Sequence, residues 1–419
     1  MKNDIQENIH NPEQLELLYR TDKKGFETAF FEIYPEISKH KTAEFWRLRL
    51  TPDSNLPDSA GMVRKDVLIL IISCAVTGFL IKLPQIFGLD LQQYLYYEKN
   101  AGLIVLLGLT LYAFLIRGKA SLRHILITFA VFALSALYIN LLPSDRSSHS
   151  VTLAFLHLPL MLWCLYGLVF IDFDTNSLSR RIDFIRYNGE LAIWVALMAI
   201  AGGILSGVTI GLFEAIGLKI EQFYFNYIII IGMVSAPVAA SFIIRFFPAV
   251  TGKIAPIIAN IFSPVVLVTL LVYLASILLT GKDPYNDRDF LIIFNLMLLG
   301  VMAIIVFSVS EAPGNSRQCF NEAVLLALAI ITLITDLVAL SAILYRLGEF
   351  GFTPNRIAVM GSNLLIFGNL VLIMIDLFKV NFKRKEVKQV EVTIARYLPV
   401  YALWTVFVVF VLPWIFGLK

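Results

Sequence analysis

A succession of long apolar segments from residue 67 onward constrains the fold of this 419-residue chain more than any other feature. Bilayer hydrocarbon is about 30 Å thick, and a helix needs roughly 20 apolar residues to cross it. The segments have about that length and follow one another with short polar breaks. They are continuously apolar, whereas barrel strands alternate, so they predict membrane helices. A content of 58% hydrophobic and 16% charged residues agrees, because it lies outside the range of soluble domains.

The pattern predicts an all-α fold: a polytopic bundle of about eleven transmembrane helices, residues 61–419, preceded by a small N-terminal soluble helical module, residues 1–60. Because polar sequence precedes the first apolar segment, no cleavable signal peptide is predicted, and the first crossing is expected to be an uncleaved anchor. The predicted spans are approximately 66–87, 101–117, 122–142, 151–171, 190–212, 223–247, 254–280, 289–309, 321–344, 356–379 and 396–416.

Three helices are predicted in the soluble module. The first begins at the capping pair Asn11-Pro12, the second runs from Thr21-Asp22 to the Tyr34-Pro35 step, and the third covers Thr42 to Leu50. The apolar face is small for an independent core, so the module is expected to pack on itself and on the membrane domain. Two roles stay open: a stabilising cap, or a docking surface for a cytosolic protein.

Lysine and arginine in the short loops predict the orientation. With the spans above, seventeen of these residues fall on one side and seven on the other. The N-terminus and the basic loop 379–396 are therefore expected in the cytoplasm, and the C-terminal Lys419 outside.

Asp336 is the most informative single residue, because it lies within a long apolar segment. A carboxylate at that depth costs about 2.5 to 3.5 kcal/mol unless it is paired, and is a functional candidate by default. A hydrogen bond to a neighbouring helix and a proton or ion role are both open. Arg346 lies about 15 Å further along the helix, so a direct pair would require chain bending or the reach of a long side chain. Asp376 and Glu190 lie near cytoplasmic ends and rank lower.

Two polar loops, Thr280 to Asp289 and Tyr345 to Arg356, are predicted on the outer face. Their charged residues suit three roles: ion-paired closure of the bundle, an anion or headgroup site built on arginine, or acid and base groups for surface chemistry. These residues are Lys282, Asp283, Arg288, Asp289, Arg346, Glu349 and Arg356.

Small residues and prolines inside the spans carry two further predictions. Glycines at four-residue spacing in the fifth span predict close helix packing, with ligand contact to the backbone as the alternative. Two mid-span prolines predict kinks, which are either ordinary or mark a transporter-type binding site. The glycines are Gly203, Gly207 and Gly211, and the prolines are Pro237 and Pro264, beside Ser235 and Ser263.

Other chemistry leaves no signature in the sequence. The cysteines, Cys74, Cys164 and Cys319, are far apart and form no CxxC pair, so packing roles are predicted. Neither a metal site, a cofactor nor a catalytic residue is predicted, since no phosphate-binding loop, zinc motif or nucleophile elbow occurs. A net charge of +3 gives no indication of nucleic-acid binding.

Three stretches of the chain resemble a known family. They are NPEQLELLYRTDKKGFETAFFEIYPEI, the TGKDPYNDRDF loop and LYRLGEFGFTPNRIAVMG. With these stretches the chain resembles, over nearly its whole length, the bacterial polytopic membrane proteins of the domain of unknown function 4153 family. The resemblance implies an integral protein of the bacterial inner membrane, and it implies no activity and no catalytic residue.

These patterns favour a transporter-like or lipid- and envelope-handling protein with a polar site open to the outer face, formed by Asp336, Arg346, Glu349 and Arg356. The alternative is a non-catalytic membrane scaffold or sensor with a partner-binding module, and a membrane enzyme acting on lipid or glycan comes third. The expected partners are the lipid bilayer, a small-molecule or lipid ligand, and a cytosolic protein for residues 1–60.

Overall fold

The computed structural model describes residues 1–38, 40–50, 64–88, 91, 93–118, 120–215, 218–280, 288–311 and 319–418. Within these ranges the side chains of 23, 24, 48, 215, 249–255, 257, 258, 273, 276–280, 288–294, 296 and 319 are not described. The chain divides into two compact units, Met1–Val63 and Arg64–Lys419.

The first unit contains four helices: α1 (Lys2–Glu7), α2 (Pro12–Thr21), α3 (Lys23–Ile37) and α4 (Lys41–Leu50). Asn11 caps α2, since its side chain accepts a hydrogen bond from the Gln14 N–H at 3.4 Å. Helix α1 was not predicted; it contributes Ile5, which is fully buried.

The core of the first unit corrects two predictions. Helix α3 does not end at Pro35 but continues to Ile37, because Ile37 is buried in the core and its burial favours the extra turn. The apolar face is also large enough for a core of its own, in which the rings of Phe26 and Trp46 lie 4.8 Å apart. That core consists of Ile5, Ile9, Leu15, Phe26, Ala29, Phe30, Ile33, Ile37, Ala43, Trp46 and Leu50.

The second unit confirms the predicted fold class, since it is a bundle of long apolar helices and the described residues contain no strand. Its helices are α5 (Arg64–Ile86), α6 (Tyr96–Arg117), α7 (Leu122–Leu141), α8 (His149–Phe170), α9 (Leu178–Ala215), α10 (Glu221–Phe223), α11 (Ile230–Phe246), α12 (Pro248–Thr280), α13 (Arg288–Ser310), α14 (Cys319–Phe350), α15 (Pro354–Lys383), α16 (Lys388–Val406) and α17 (Leu412–Ile415). They follow the eleven predicted spans when the pairs α10 with α11 and α16 with α17 are each counted as one continuous helix.

Two π-helical segments make some of these helices continuous: Tyr224–Ile229 joins α10 to α11, and Phe407–Val411 joins α16 to α17. Within the described residues, nine helices are long and apolar enough to cross a membrane. Helices α12 and α13 occupy the predicted seventh and eighth spans. The protein is therefore a membrane protein of the polytopic helical type.

The bundle has two main apolar cores. One is centred on α6 and α8 and includes Leu158 and Leu162, which are fully buried. The other is centred on α14 and α15 and includes Leu328 and Leu370, also fully buried. Helices α14 and α15 are joined by the short turn 351–353, so they run antiparallel along their length.

Contacts between helix termini define two ends of the bundle. At the first, which we call the hairpin end, Lys99 donates to the Leu142 carbonyl at 2.8 Å and Ser148 donates to the Leu418 carbonyl at 2.7 Å. Ala358, near the start of α15, packs there against Leu412 of α17. The hairpin end therefore brings together the starts of α6, α8 and α15 and the ends of α7 and α17.

The opposite end, which we call the arginine end, is closed by guanidinium groups on helix carbonyls. Arg117 donates to the Val169 and Phe170 carbonyls, Arg181 to Ala395, and Arg186 to Ser310. The carbonyls of Val169, Phe170 and Ser310 lie at the ends of their helices, where they have no partner within the helix and carry partial negative charge, so cations stabilise them. The Ala395 carbonyl lies inside α16 and is free because Pro399, four residues later, has no N–H to donate. The arginines thereby join the ends of α6, α8 and α13 to the starts of α9 and α16.

The structure also places the predicted prolines and glycines. Pro237 and Pro264 lie inside the continuous helices α11 and α12, so neither breaks its helix. The glycine stripe 203, 207 and 211 on α9 is exposed, and a Cβ added at any of the three would meet no atom within 4 Å. Among the described residues the stripe therefore makes no close helix contact.

Candidate functional site

The outer-loop residues predicted to form one site are not brought together in the part of the chain that the structure describes. Lys282 and Asp283 lie outside the described residues. Arg288 and Asp289 open α13, where only their backbone is described. The other three, Arg346, Glu349 and Arg356, lie at the turn between α14 and α15.

Arg356 has a structural role in that turn. Its Nη1 donates to the carbonyls of Phe350 and Gly351, at 2.8 and 2.7 Å. These carbonyls belong to the end of α14, where a cation and its donors are favourable. Gly351 takes a φ of +72°, a left-handed conformation that ends the helix at little cost for glycine. Arg356 is therefore occupied by helix capping.

Local geometry accounts for the Thr353-Pro354 pair at the start of α15. The Thr353 side chain accepts from the Arg356 N–H at 3.4 Å, and Pro354 occupies the first helical position. Glu349 is exposed, and no ion pair with Arg346 occurs among the described side chains. Arg346 keeps one buried nitrogen, Nη1, without a hydrogen-bond partner.

Asp336 lies deep within α14 and has no exposed surface. It is about 21 Å along the helix from Phe350 and about 26 Å from Cys319. Neither carboxylate oxygen has a hydrogen-bond partner in the described structure. The expectation that a neighbouring helix could hold Asp336 by a hydrogen bond is therefore not met.

The hydroxyls nearest to Asp336 in sequence do not supply the missing donors. Thr332 and Thr335 are fully buried on the same helix. Thr332 donates to the Leu328 carbonyl at 2.6 Å, and Thr335 donates to the Ile331 carbonyl at 2.7 Å. Their protons are thus used within the helix, as is usual for threonine in apolar helices.

Two residues from neighbouring helices complete what we call the central polar cluster: Asp336, Asn369 and Tyr401. Asn369 is about 22 Å along α15 from Pro354, so it lies at nearly the depth of Asp336 on the antiparallel α14. Its Nδ2 donates to the Tyr401 hydroxyl at 3.0 Å. Asp336 is close enough to Tyr401 for the two groups to interact electrostatically.

The central polar cluster has more acceptors than donors. Asn369 is 1% exposed, and its Oδ1 is buried without a partner, as are both oxygens of Asp336. Leaving a buried acceptor unpaired costs about 1 to 3 kcal/mol, and more when the group is charged. What the cluster lacks is positive charge or a proton.

Close packing of α15 on α16 positions the cluster. A Cβ at Gly361 would lie 2.0 Å from the Trp404 ring, and one at Gly368 would lie 2.9 Å from the Tyr397 hydroxyl. Trp404 Nε1 also donates to the Ser362 hydroxyl at 3.0 Å. These glycines let aromatic residues of α16 reach the α15 backbone, which brings Tyr401 to Asn369.

Asp376, which was predicted to be a weaker functional candidate than Asp336, has a hydrogen-bond donor for each carboxylate oxygen. Its Oδ1 accepts from Lys379 Nζ at 2.7 Å, and its Oδ2 accepts from the Thr393 hydroxyl at 2.6 Å. It therefore fixes the end of α15 to the start of α16. Asp376 thus has a structural role that accounts for its position, whereas no such role is found for Asp336 in the described structure.

Glu311 is a titratable group that the sequence analysis missed. It follows α13 at the arginine end, and its side chain is 6% exposed. Burial raises the pKa of its carboxyl to about 7, against the opposite effect of the Arg186 guanidinium at 3.6 Å, while Glu190 raises the pKa further. Only the fold shows this burial, because the sequence places Glu311 at the edge of an apolar segment.

Asn369 and Tyr401 were missed as well. The signal available for Asn369 was the one that identified Asp336, a polar side chain in the middle of an apolar segment. Among the side chains that the structure describes, no three histidine, cysteine, aspartate or glutamate residues converge as metal ligands.

Comparisons of the chain with family models, with curated proteins and with solved structures found no match. The function therefore has to be argued from the geometry.

Proposed function

We propose that this protein is a transporter-like membrane protein in which Asp336 takes up and releases a proton. The observation that carries the proposal is the enclosed carboxylate whose two oxygens have no partner. An unpaired charge at this depth is unfavourable, so the carboxyl is stable there with a bound proton. Intramembrane carboxylates that face the bundle interior are typical of proton relays.

Asn369 and Tyr401 support this proposal because they place further polar groups at about the depth of Asp336. The unpaired Asn369 Oδ1 is an acceptor, and the Tyr401 hydroxyl both donates and accepts. A cluster with a surplus of acceptors binds a proton without needing a large cavity. The arginines of the outer turn have a smaller part in this proposal than the sequence suggested, since Arg356 is engaged in capping.

The first test is chemical modification of the purified full-length protein in lipid vesicles. A hydrophobic carbodiimide reacts with protonated carboxyl groups in membranes, so we expect it to modify Asp336, and we expect modification to fall as pH rises. Peptide mapping by mass spectrometry measures this, and Asp336→Asn controls for the site. Modification that is absent at all pH values would exclude a protonated carboxyl here.

The second test is genetic. Asp336→Asn, inserted at normal levels, is expected not to rescue a transport or envelope phenotype of the deletion strain, whereas Asp336→Glu keeps the carboxyl and rescues in part. Full rescue by Asp336→Asn would defeat the proposal. Asn176→Ser, in the exposed segment between α8 and α9, is the control for expression and handling.

A second candidate function, a membrane scaffold or sensor, is supported by the first unit. This unit has its own buried core, and Leu17, Phe31 and Phe45 are exposed on its surface. Exposed apolar groups on a self-supporting unit suit a protein partner. Deleting residues 1–60 discriminates: a scaffold loses function while still inserted, and a transporter retains part of its activity.

Location and orientation complete the proposal. We propose the bacterial inner membrane, with the N-terminus in the cytoplasm and the C-terminus outside. The distribution of lysine and arginine supports the orientation. The resemblance to the domain of unknown function 4153 family supports the bacterial membrane, and membership of that family is part of the proposal.

A further inference from the structure

A cavity of about 600 Å³ lies between α7, α8, the start of α9 and α16, away from the central polar cluster. Its walls are apolar along most of their length, with Val131 from α7, Met161 and Leu165 from α8, and Leu398 and Ala402 from α16. A volume of this size is in the range of small-molecule and cofactor sites.

The cavity has a polar end, formed by Thr175 and Arg181. Arg181 Nη1 donates to the Ala395 carbonyl at 3.1 Å, and Nη2 donates to the Thr175 carbonyl at 2.6 Å. These bonds hold the guanidinium at the mouth of the cavity. They leave further N–H groups of the side chain available, because a guanidinium has more donors than the two used here.

Arg181 differs from the other arginines at this end in its charge balance. Arg117 has Asp172 at 3.8 Å, and Arg180 has Asp174 at 3.8 Å. Arg186 lies between two carboxylates, at 3.7 and 3.6 Å. In the described structure Arg181 contacts carbonyl oxygens but forms no ion pair with a carboxylate. It is therefore a fixed cation without a countercharge.

The cavity also reaches the lateral surface of the bundle. Leu168, Leu403 and Val406 line it and are 36, 72 and 41% exposed. From Ile171 at the polar end to Met161 the apolar wall extends about 15 Å along α8. The site therefore combines a cation at the level of the helix ends with an apolar slot that runs toward the middle of the bundle.

We propose that this cavity binds one anionic phospholipid of the surrounding bilayer, with the headgroup phosphate at Arg181 and an acyl chain in the slot. Basic pockets between helices at the membrane surface bind anionic headgroups, and arginine forms strong charge-assisted hydrogen bonds with phosphate oxygens. A zwitterionic lipid fits the slot equally well, but its ammonium group offsets the phosphate charge, so it brings no net negative charge to Arg181. This site is independent of the proton role of Asp336.

Lipid selectivity of the full-length protein tests the proposal. The detergent-purified protein is incubated with equal amounts of phosphatidylglycerol and phosphatidylcholine, and native mass spectrometry measures the ratio of the two lipids in the singly bound population. We expect phosphatidylglycerol to exceed phosphatidylcholine about fivefold, as one surface cation is worth about 1 kcal/mol. Arg181→Gln brings the ratio close to one, and Arg181→Lys keeps most of the preference.

Matched variants separate the headgroup from the slot. Arg180→Gln removes the neighbouring arginine, which lies outside this cavity, and leaves the ratio unchanged. Ala402→Phe fills the slot and lowers retention of both lipids, whereas Ala133→Phe, at an exposed position on α7, does not. Because a ratio is measured, partial loss of folded protein does not mimic the result.

Three outcomes would overturn the proposal. The first is a wild-type ratio near one, which means adventitious lipid only. The second is an equal loss of selectivity in Arg180→Gln and Arg181→Gln, which means a diffuse surface effect. The third is retention that Ala402→Phe leaves unchanged, which means that the lipid lies elsewhere on the bundle.

Discussion

Two aspartates in the same bundle have opposite effects on its stability. Asp376 accepts two hydrogen bonds and joins two helices, while Asp336 is enclosed without any in the described structure. A buried carboxylate that is paired stabilises its surroundings, and one that is not costs free energy. Asp336 therefore lowers the stability of the fold, and an intramembrane ionisable residue of this kind is a functional candidate.

This contrast predicts opposite effects of the same substitution. Asp336→Asn removes an enclosed charge that has no hydrogen-bond partner in the described structure, so we expect the apparent melting temperature in detergent to rise or stay unchanged. Asp376→Asn leaves the exposed Lys379 without its carboxylate and weakens the bond to Thr393, so it lowers stability by about 1 kcal/mol. Fluorescence melting of both variants checks this, and a marked loss in Asp336→Asn would contradict it.

Glu311 gives a pH dependence at the residue scale. Its carboxyl has a pKa of about 7 in the fold and an ordinary value of 4.5 when unfolded. The folded state therefore holds the proton more tightly, so the stabilising contribution is complete below pH 4.5 and is lost as pH rises to about 7. Glu311→Gln removes this titration.

Melting curves between pH 4 and 8 measure the effect. As pH rises from 4.5 to about 7, we expect the melting temperature of the wild type to fall relative to that of Glu311→Gln. Above pH 7 the difference between the two is expected to level off. Arg186 and Glu190, the charged groups that act on Glu311, remain in both proteins. Parallel curves over the whole range would show that Glu311 titrates alike in the folded and unfolded states.

Among the elements, α15 and α9 show that a glycine in a membrane helix has no fixed meaning. Gly361 on α15 faces the Trp404 ring, whereas Gly207 on α9 faces open space. Close packing was predicted for α9, because its glycines recur at four-residue spacing. The contacts that position the central polar cluster are instead made by isolated glycines of α15.

Alanine at each position tests this difference. Gly361→Ala places a methyl group 2.0 Å from the Trp404 ring, so the ring or the helices must shift, at a cost of about 1 to 3 kcal/mol. Gly207→Ala meets nothing within 4 Å and gains helix propensity, so we expect no loss of stability. Thermal unfolding of the two variants decides, and equal losses would mean that another molecule covers α9.

Local physics was enough to predict the membrane-spanning helices, and only three-dimensional packing decides the site. The spans follow from hydrophobic length, and the start of α15 follows from the Thr353-Pro354 cap. The capping role of Arg356 could not be predicted in this way, because the carbonyls that it binds are free acceptors only where α14 ends. The hydrogen bond between Asn369 and Tyr401 could not be predicted either, because the sequence does not determine the register in which α15 packs on α16.

At the scale of the whole molecule, the two ends of the membrane unit differ in chemistry. The arginine end carries guanidinium groups on helix carbonyls, with Arg181 left without a carboxylate partner in the described structure. The hairpin end is closed by the 351–353 turn and by contacts such as Ser148 with the Leu418 carbonyl. An excess of basic residues near helix ends favours the cytoplasmic side. The arginine end is accordingly expected to face the cytoplasm, where anionic lipids also act on basic groups.

Thiol labelling tests this orientation. With the native cysteines Cys74, Cys164 and Cys319 replaced by serine, a single cysteine is introduced either by Phe352→Cys at the hairpin end or by Asn176→Cys at the arginine end. Both positions are exposed, so reactivity depends on the side of the membrane and not on burial.

An impermeant maleimide added to intact spheroplasts is expected to label the Phe352→Cys protein, and to label the Asn176→Cys protein only after lysis. The opposite pattern would invert the bundle and place Arg181 outside, where the proposed lipid site would draw on a different leaflet. Labelling of both from the same side would contradict the alternation of the helices. Because α8 and α15 start at the same end of the bundle, the end of α8 beside position 176 lies opposite the 351–353 turn, so one pair of variants decides between these arrangements.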